Sequence, residues 1–593
     1  MPFECRSVRF ALTVAGVALA LPPAAPVARA QAPADFVPVT DAMLQDPAPA
    51  DWLMWRRTLD GWGYSPLEQI DRDNVGDLRM VWTRALGPGL QQGTPLVHDG
   101  VLYMPNPRDV IQAIDGASGD LLWEYRRSLP EDVDEFLITV LAEVNRNLAI
   151  YDNLIIDTSV DDYVFALDAA TGRLAWETQI LDYRTHPANQ TSGPIIAGGK
   201  VISGRSCTPA GGPEACVITA HDARTGEELW RTRTIPAPGE PGDESWGDVP
   251  YEERKHVGAW MVPSYDPALN LIYIGTSVTS PAPKFMLGGN DKKHLYHNST
   301  LALDADTGEI AWYYQHLNDH WDLDHPFERL LLDTAVAPDP AAVRWINPRL
   351  RHGEVRKVVT GIPGKTGIVY TLDRETGEFL WATPTVTQNV ISDIDGATGA
   401  VTENPEVVFT GDGQTVLACP TLVGGKDWEA GAYSPETGLM YFPLRNACAR
   451  MMATAGSDSV ATSLYALAVR SELAPGTDQL GTVQAISPET GELVWKYEQR
   501  AATTSLVATA GGLVFGGDLN GRFRALDADT GDVLWEVNLG SPITGFPITF
   551  AVDGRQYVAV STGSSRTLVY FAPLTPELRP SIGNNLFVFA LPD

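Results

Sequence analysis

A short acidic stretch near the middle of the chain carries the residue types best suited to chemistry. Residues 318–324 read Asn-Asp-His-Trp-Asp-Leu-Asp, so that Asp322 and Asp324 stand two positions apart. Both carboxylates can face one pocket if one lies at a strand end and the other in the adjoining loop. Paired carboxylates bind a hard cation or supply a general base. The alternative interpretation is that these acids only cap a loop or a helix.

Histidines are frequent around this stretch and raise the question of a zinc site. They lie at His294, His297, His316, His320 and His325. Their spacing fits no standard zinc site. Because they fall in insertions between repeats, we expect them at the surface or beside a cofactor.

The elements that position these residues are indicated by an eleven-residue repeat, of which ALDADTGEIAW is typical. Eight copies begin at Ala113, Ala166, Ala220, Ala302, Thr371, Ala432, Ala485 and Ala525. Each copy reads as a strand end, a tight turn and a strand start, and most close with Trp. The spacing, from 40 residues (485 to 525) to 82 (220 to 302), allows four short strands per unit. The sequence therefore predicts an all-β, eight-bladed β-propeller with tryptophan-docking repeats.

The first thirty residues have the composition of a secretory signal. Arg6 and Arg9 precede the apolar run 10–21, and the small-residue ending Ala28-Arg29-Ala30 follows. We predict a signal peptide over residues 1–30 and a single propeller domain over 31–593. A membrane anchor is the weaker alternative, because the apolar run is short and prolines follow it. No later segment is long and apolar enough to span a bilayer.

Four cysteines remain after this segment, and an even number in an oxidising compartment predicts disulfides. Pairing Cys207 with Cys216 and Cys419 with Cys448 keeps each bridge within one blade region. Metal binding by these thiols is the alternative. No CxxCH sequence is present, so we expect no covalently attached haem.

The net charge of −31 argues against a nucleic-acid partner, since a phosphate backbone would be repelled. The same charge favours a basic partner or a cation.

Several longer motifs are specific to one group of proteins. They are GYSPLEQIDRDNVGDLRMVW (63–82), TPLVHDGVLYM (94–104), VNR (144–146), TSGPII (191–196), SYDPALNLIYIGT (264–276), DHWDLD (319–324), GKTGIVYTLDRETG (364–377), AYSPETGLMYFP (432–443) and TAGGLVFGGDLNGRFRALDADTG (509–531). In these motifs the chain resembles the pyrroloquinoline quinone (PQQ) dependent alcohol dehydrogenases, which are periplasmic eight-bladed quinoproteins. The resemblance extends over essentially the whole mature sequence.

The resemblance implies a periplasmic enzyme in which PQQ oxidises an alcohol, while Ca²⁺ or a lanthanide ion polarises the quinone carbonyls. Asp322 matches the general base, and Asp324 matches an extra acid found in lanthanide-using members. Lys365 matches the basic residue that contacts the quinone oxygens. Glu214 is the only acid in the loop that matches the metal-binding glutamate. The candidate metal ligands are therefore Glu214, Asp322 and Asp324.

The remaining cofactor contacts also follow from the resemblance. Arg146 matches an arginine that binds a cofactor carboxylate, Thr191 matches a hydroxyl contact, and Trp260 matches the tryptophan on which the quinone stacks. Asp427 stands where a cofactor-binding asparagine is expected. Cys419 and Cys448 match a pair that is bridged in the family.

Several positions depart from the family pattern. Val140 and Leu141 replace an adjacent cysteine pair, Gln92 replaces an acid, and Val278 replaces a metal-binding asparagine. We interpret these changes as a remodelled pocket for a bulky or secondary alcohol.

A soluble c-type cytochrome is the expected electron acceptor, and the assembly state is left open between a monomer and a homodimer. Two alternatives remain: a non-enzymatic periplasmic propeller scaffold of the outer-membrane assembly type, and a quinoprotein lineage that no longer uses PQQ. A scaffold has no reason to keep a base, a cation and a stacking ring together.

Overall fold

The computed structural model describes residues 36–454 and 465–592. Within these ranges, eight antiparallel sheets of four or five strands follow one another along the chain. We number them as blades 1 to 8 in chain order, beginning at residue 96. The predicted signal peptide, residues 1–30, lies outside the described residues.

Blades 1 to 4 each contain four strands, which follow the chain from the innermost to the outermost. Blade 1 contains Leu96–His98, Val101–Asn106, Val110–Asp115 and Leu121–Arg126. Blade 2 contains Ala149–Tyr151, Leu154–Thr158, Tyr163–Asp168 and Leu174–Gln179. Blade 3 contains Ile195–Ala197, Lys200–Ser203, Val217–Asp222 and Glu228–Arg233. Blade 4 contains Ser264–Asp266, Leu271–Gly275, Ser299–Asp304 and Ile310–Gln315.

Blades 5 to 8 keep this order with additions. Blade 5 contains Leu330–Val336, Glu354–Gly361, Ile368–Asp373 and Phe379–Pro384, with Trp345–Ile346 at its outer edge. Blade 6 contains Ala432–Ser434, Leu439–Arg445, Gly481–Ile486 and Leu493–Gln499. Blade 7 contains Thr503–Thr509, Leu513–Asp518, Arg522–Asp527 and Val533–Asn538, and Tyr64–Ser65 pairs with the first of these in parallel. Blade 8 contains Ile548–Val552, Arg555–Thr562, Asn585–Ala590 and Arg79–Ala85.

Shorter elements decorate the ring. Two small sheets pair Ala188–Asn189 with Ser206–Cys207, and Ile391–Ile394 with Val401–Glu403. A third contains Thr415–Ala418, Ala447–Ala453 and Leu467–Leu473. The described α-helices are Asp41–Gln45, Val133–Phe136, Thr139–Ala142 and Arg566–Phe571. The described 3₁₀ helices are Val75–Asp77, Pro209–Gly211, Pro213–Ala215, Asp243–Trp246, Tyr251–Glu253, Lys284–Met286 and Ala572–Leu574. None of the helices in the described part of the chain is long and apolar enough to cross a membrane.

The two ends of the described chain meet in blade 8. Its outermost strand, Arg79–Ala85, comes from the N-terminal side and pairs antiparallel with the C-terminal strand Asn585–Ala590. This pairing closes the ring. Closure covers the apolar sheet faces that the end blades of an open array would expose.

The repeat forms the hairpin turn between the third and fourth strands of a blade. In blade 4, Asp304 Oδ1 accepts hydrogen bonds from the backbone N–H groups of Asp306 (3.0 Å) and Thr307 (2.9 Å). The N–H of Gly308 bonds to the Asp304 carbonyl at 2.8 Å. Gly308 has a φ of 73°, where a residue without a Cβ costs least. These contacts explain why Asp and Gly recur at fixed positions.

The tryptophan that closes a repeat packs against the next blade. Trp230, on the outermost strand of blade 3, donates from Nε1 to the carbonyl of Ala305 in the turn of blade 4 at 3.0 Å. Its ring lies so close to Gly308 that a Cβ there would come within 2.4 Å of it. The same contact joins Trp82 to Gly119, Trp123 to Gly172, Trp312 to Gly377 and Trp495 to Gly531. The predicted tryptophan-docking repeats are thus confirmed.

The number of blades is as predicted, but the copies do not correspond to blades one by one. The copies that begin at Ala432 and Ala485 both lie in blade 6, where the first forms the hairpin between strands one and two. Blade 8 contains no copy, because it is assembled from the two distant chain segments 79–85 and 548–590. The number of repeats equals the number of blades because blade 6 contains two copies and blade 8 contains none.

Both predicted disulfides are formed, one between Cys207 and Cys216 and one between Cys419 and Cys448. Each joins residues within a single region of the ring. Metal binding by these thiols, the alternative interpretation, is therefore not supported.

We expect the substitution Gly308→Ala to destabilise the protein. A Cβ at this position would lie 2.4 Å from Trp230 Cε3 at a positive φ. The cost combines about 1–2 kcal/mol for the left-handed backbone with about 1–3 kcal/mol for the clash. The measurement is the midpoint of urea unfolding.

Gly554→Ala is the matched control, because Gly554 has a φ of 80° and no neighbour within 4 Å of an added Cβ. It should show the backbone cost alone. Equal losses in the two variants would contradict a stabilising role for tryptophan docking.

Candidate active site

The predicted site residues converge because they enter from the same end of the ring. The first strand of a blade is buried and innermost, whereas the fourth is largely exposed, as in Ile195–Ala197 and Glu228–Arg233. The segments just before innermost strands carry Arg146, Thr191, Trp260, Asp322, Asp324 and Asp427. Lys365 lies in the turn between the second and third strands of blade 5, which returns to that same end. The repeat turns, between third and fourth strands, lie at the opposite end.

Asp322 is held in an unusual backbone conformation. Its φ is 66°, in the left-handed region. Trp321 and Leu323, the residues on either side of Asp322, donate their backbone N–H groups to the carboxylate of Asp319 at 2.7 Å and 2.6 Å. Asn298 Nδ2 donates to the same carboxylate at 3.0 Å and to the Leu323 carbonyl at 2.9 Å. Asp319 thereby fixes the turn that aims Asp322.

Lys365 joins Asp322 and Asp324, two of the three aspartates in the acidic stretch. Its ammonium Nζ donates to Asp322 Oδ1 at 2.8 Å and to Asp324 Oδ2 at 3.3 Å, and it also reaches the Asp322 carbonyl at 3.1 Å. All three side chains are buried. Burial raises the pKa of Asp322 well above its ordinary value, and the charge of Lys365 opposes this rise. Burial lowers the pKa of Lys365, but the two aspartates outweigh it and leave that pKa well above its ordinary value.

Asp324 connects the acidic stretch to the neighbouring blade. Its Oδ1 accepts the backbone N–H of Val278 at 2.7 Å, and its Oδ2 accepts the indole N–H of Trp260 at 3.2 Å. Together with Lys365, these donors engage both oxygens of the carboxylate. Asp324 therefore orients Trp260 as well as the lysine.

Arg146 and Trp260 form the opposite part of the site. The guanidinium carbon of Arg146 lies 5.3 Å from the ring centroid of Trp260 and 5.6 Å from that of Trp428. Arg146 Nη1 donates to the Thr191 carbonyl at 2.8 Å, and the Thr191 hydroxyl donates to the Trp260 carbonyl at 3.2 Å. Burial lowers the pKa of Arg146 to about 10, so that the side chain stays cationic at neutral pH.

Asp427 belongs to the same group of charges. It is buried, and its Oδ1 accepts the backbone N–H of Trp428 at 2.9 Å. Burial raises its pKa, while the positive charges of Lys365, Arg445 and Arg146 oppose the rise. The predicted cofactor contacts are therefore neighbours in space.

Glu214 is not brought together with the aspartates. Its carboxylate is 42% exposed and pairs with Arg233 at 3.4 Å. It also accepts the hydroxyl of Tyr251 at 2.8 Å. The short helix Pro213–Ala215 carries it, and these contacts do not support a place in the same ligand set as Asp322.

The site fits a flat molecule that bears carboxylates. Arg146 Nε is buried without a hydrogen-bond partner, and a guanidinium edge of this kind matches a carboxylate. The Trp260 side chain keeps part of its surface exposed beside it. Four more buried polar atoms have no hydrogen-bond partner, and they lie on segments that lead to innermost strands or begin them. They are Gln92 Oε1, Thr94 Oγ1, Thr504 Oγ1 and Thr544 Oγ1. A bound PQQ would find both an aromatic face and unused polar groups here.

The fit to a metal ion is less complete. Asp322 and Asp324 supply two carboxylates, but Val278 contributes only its backbone N–H, which cannot ligate a cation. No group of three or more His, Cys, Asp or Glu side chains that could hold a metal ion is found within residues 36–454 and 465–592. We therefore derive no step of the reaction through a metal.

The five histidines do not form a zinc site in the described part of the chain. They are buried, so the expectation of surface positions was wrong. His294 Nε2 and His297 Nδ1 contact backbone carbonyls at 2.7 Å and 2.9 Å, and the rings of His316 and His325 stack with centroids 5.0 Å apart. Burial lowers the pKa of His294 and of His325 to about 3. They act as neutral packing groups around the acidic loop.

The sequence-based prediction did not identify three residues near the aspartates. Asp319 was included in the acidic motif without a role of its own. His256 and Tyr465 carried no recognisable spacing, since they are 209 residues apart in sequence and meet only in the folded chain. Asp319 alone could have been suspected, because an Asp that precedes a turn commonly caps it.

The comparisons with known proteins agree with this geometry. The family described as "PQQ: Glucose/ethanol/alcohol dehydrogenase, beta-propeller domain" matches residues 52–402 and 478–558. The chain is 31% identical to quinohemoprotein alcohol dehydrogenase ADH-IIG of Pseudomonas putida, over 96% of this chain and 79% of that protein. It is 28% identical to the quinoprotein ethanol dehydrogenase of Pseudomonas aeruginosa, over 93% and 92% of the two chains.

Two solved structures are similar over almost the whole chain. That of ADHIIG from Pseudomonas putida HK5 gives a TM-score of 0.82 at 30% identity and covers 94% of this chain and 83% of the other. A europium-containing methanol dehydrogenase gives a TM-score of 0.81 at 27% identity and covers 93% and 99%. The family match, the identity and the shared fold lead to one conclusion: this chain belongs to the PQQ-dependent alcohol dehydrogenases, a family of quinoprotein oxidoreductases.

Proposed function

We propose that this protein is a periplasmic dehydrogenase that oxidises an alcohol to a carbonyl compound, with Asp322 as the general base. The observation that carries the proposal is the contact of 2.8 Å between Asp322 Oδ1 and Lys365 Nζ, beside the ring of Trp260. A base can take up the hydroxyl proton, a cation can stabilise negative charge that develops on a cofactor, and an aromatic ring can pack against its flat face.

Asp322 has the properties of a base for a hydroxyl proton. Its side chain is buried, and burial raises the pKa of this carboxylate. An ionised carboxylate in such surroundings takes up a proton more readily than one in water. Lys365 and the turn fixed by Asp319 hold the carboxylate in one direction, which reduces the reorganisation needed for proton transfer.

The other residues would bind the cofactor. When bound, PQQ would accept one hydride equivalent, which carries the two electrons, from the alcohol carbon, while the hydroxyl proton would go to Asp322. Arg146 would hold a carboxylate through its unused N–H edge, and Trp260 would pack against the flat face. Thr191 and Asp427 lie beside Arg146 and are proposed as further contacts. Lys365 would place positive charge where negative charge develops on reduction.

A hard cation, Ca²⁺ or a lanthanide ion, would bind through Asp322 and Asp324, the two carboxylates that share Lys365. Glu214 remains a prediction that its contacts with Arg233 and Tyr251 do not support. Asp324 adds negative charge, which favours an ion of higher charge.

The substrate and partners are proposed on less direct grounds. Val278 is apolar and buried, and it replaces a ligand expected from the family, which favours a bulky or secondary alcohol. Electrons would pass to a soluble c-type cytochrome. A monomer and a homodimer both remain compatible with the described chain.

The scaffold alternative has no observation in its favour. A structural propeller gains nothing from burying two aspartates around a lysine, because buried ion pairs cost desolvation energy that apolar packing avoids. The charged site is better explained by catalysis.

Reconstitution of metal-depleted protein tests the proposal. The protein is supplied with PQQ plus Ca²⁺ or PQQ plus La³⁺, and dye reduction is followed over primary, secondary and bulky alcohols. We expect alcohol-dependent turnover only with PQQ, and faster turnover with bulky or secondary alcohols than with methanol. Turnover without PQQ would contradict the proposal, and a strong preference for methanol would contradict the substrate class.

We expect Asp322→Asn to abolish turnover while PQQ still binds. The substitution removes the base but preserves the size of the side chain, and loss of a general base costs about 10²–10⁴ in rate. The measurements are dye reduction and the absorbance of bound PQQ. Asp291→Asn, at a carboxylate that is 77% exposed, is the matched control; retained turnover in Asp322→Asn would remove the base assignment.

We expect Arg146→Gln to weaken PQQ binding about 10- to 100-fold, because a charge-assisted hydrogen bond contributes about 1.5–3 kcal/mol. Equilibrium dialysis with PQQ measures the dissociation constant. Arg344→Gln is the control, since Arg344 is exposed and also lies over a tryptophan, at 4.6 Å from the Trp345 ring centroid. Equal affinities for the two variants would exclude Arg146 from the cofactor site.

A further inference from the structure

We propose that Tyr465 determines substrate specificity: its phenol oxygen accepts a hydrogen bond from a second hydroxyl of the alcohol, so that vicinal diols are favoured over alcohols with one hydroxyl. The inference rests on the proposed function and names a substrate class for that same site. Nothing in the repeat or in the acidic motif points to this residue, which reaches the site only through the fold.

Tyr465 lies at the wall of the site. Its carbonyl accepts the backbone N–H of Ala282 at 3.1 Å, and its ring packs against the apolar cluster that includes Val278 and Trp321. The side chain keeps part of its surface exposed, whereas Asp322 and Lys365 are buried. Tyr465 is thus a partly accessible group on the cluster that contains Val278, whose backbone N–H holds Asp324.

The phenol lies within the electrostatic field of the catalytic group. Burial, followed by the negative charges of Asp322 and Asp324, raises the pKa of Tyr465 well above its ordinary value, and Lys365 opposes the rise. The Tyr465 hydroxyl therefore keeps its proton. The direction of the O–H bond decides whether the hydroxyl can donate a hydrogen bond to a substrate or only accept one.

His256 fixes this direction. Its Nδ1 lies 2.5 Å from the carbonyl of Cys207, and since a carbonyl can only accept, Nδ1 must carry the hydrogen. Burial lowers the pKa of His256, so the ring is neutral and Nε2 is an acceptor. The Tyr465 hydroxyl lies 3.4 Å from Nε2, and the two rings meet edge to face with centroids 5.5 Å apart.

The phenol proton is thus directed at His256, and only the lone pairs of the oxygen remain for a substrate. Such an oxygen accepts a hydrogen bond but does not donate one. A second hydroxyl on the alcohol can supply the hydrogen, whereas an alkyl group leaves the oxygen unpaired at a cost. This asymmetry selects for a substrate with an additional O–H donor next to the reacting carbon.

The support of His256 is rigid. Cys207 is buried, pairs with Ala188 in a two-stranded sheet and is closed by its disulfide to Cys216. His256 itself has a φ of 67°. The disulfide between Cys207 and Cys216 therefore holds in place the carbonyl that sets the tautomer of His256.

The test compares butane-1,2-diol with butan-1-ol on PQQ-loaded wild-type and Tyr465→Phe enzyme. We expect the ratio of kcat/KM, diol over mono-alcohol, to fall about three- to tenfold in the variant, which corresponds to one neutral hydrogen bond. The loss should appear mainly in KM for the diol. Tyr313→Phe, at a ring that is 44% exposed, is the matched control and should keep the wild-type ratio.

His256→Asn separates positioning from a merely structural role, since Asn tolerates the left-handed backbone at this position. If His256 acts through Tyr465, the ratio falls in the single variant and does not fall further when His256→Asn is added to Tyr465→Phe. A structural role would reduce the ratio independently in both backgrounds.

The outcomes separate the inference from the proposed function. If wild-type enzyme oxidises neither alcohol, the proposed function fails and the inference fails with it. If it oxidises both and Tyr465→Phe leaves their ratio unchanged, the inference is overturned while the dehydrogenase function stands.

Discussion

The site depends on one ammonium group placed between two buried carboxylates. Asp322 and Asp324 would repel each other in a region that excludes water, and Lys365 offsets this with contacts of 2.8 Å and 3.3 Å. The remaining contacts follow from this arrangement. Asp319 fixes the turn that carries Asp322. Asp324 in turn orients Trp260, because it accepts the indole N–H of that residue.

The contacts that stabilise the ring and the candidate site residues lie at opposite ends of the propeller. Tryptophans dock on the turn glycines at one end, where third and fourth strands meet, as Trp230 does on Gly308. The site residues enter at the other end, before innermost strands or in the turn that holds Lys365. Because the strands between them are fixed by sheet hydrogen bonds, the entry segments can diverge without loss of the ring. Val278, which stands where the family pattern has an asparagine, is a change of this kind.

One side of the site differs most from the family pattern, and its changes are connected. Val278 lines the apolar cluster against which Tyr465 packs, and the backbone N–H of Val278 holds Asp324. The loop that contains Cys207 supplies the carbonyl on which His256 rests. Val278 and the loop that contains Cys207 thus both affect the surroundings of Tyr465 and His256.

The fold class and a group of neighbouring charged residues could be predicted from local sequence patterns, whereas the assignment of repeats to blades and several contacts required the folded chain. The spacing of Asp, Gly and Trp specifies turns and strands because these preferences are local, although only the sheet order showed that two copies share blade 6 and that blade 8 has none. Motif matches selected Arg146, Lys365 and Asp322 correctly as neighbours, but Glu214 faces Arg233 instead. The contact of His256 with Tyr465 joins residues 209 positions apart. Such a contact arises from ring closure and loop packing, for which no local pattern in the chain provides a signal.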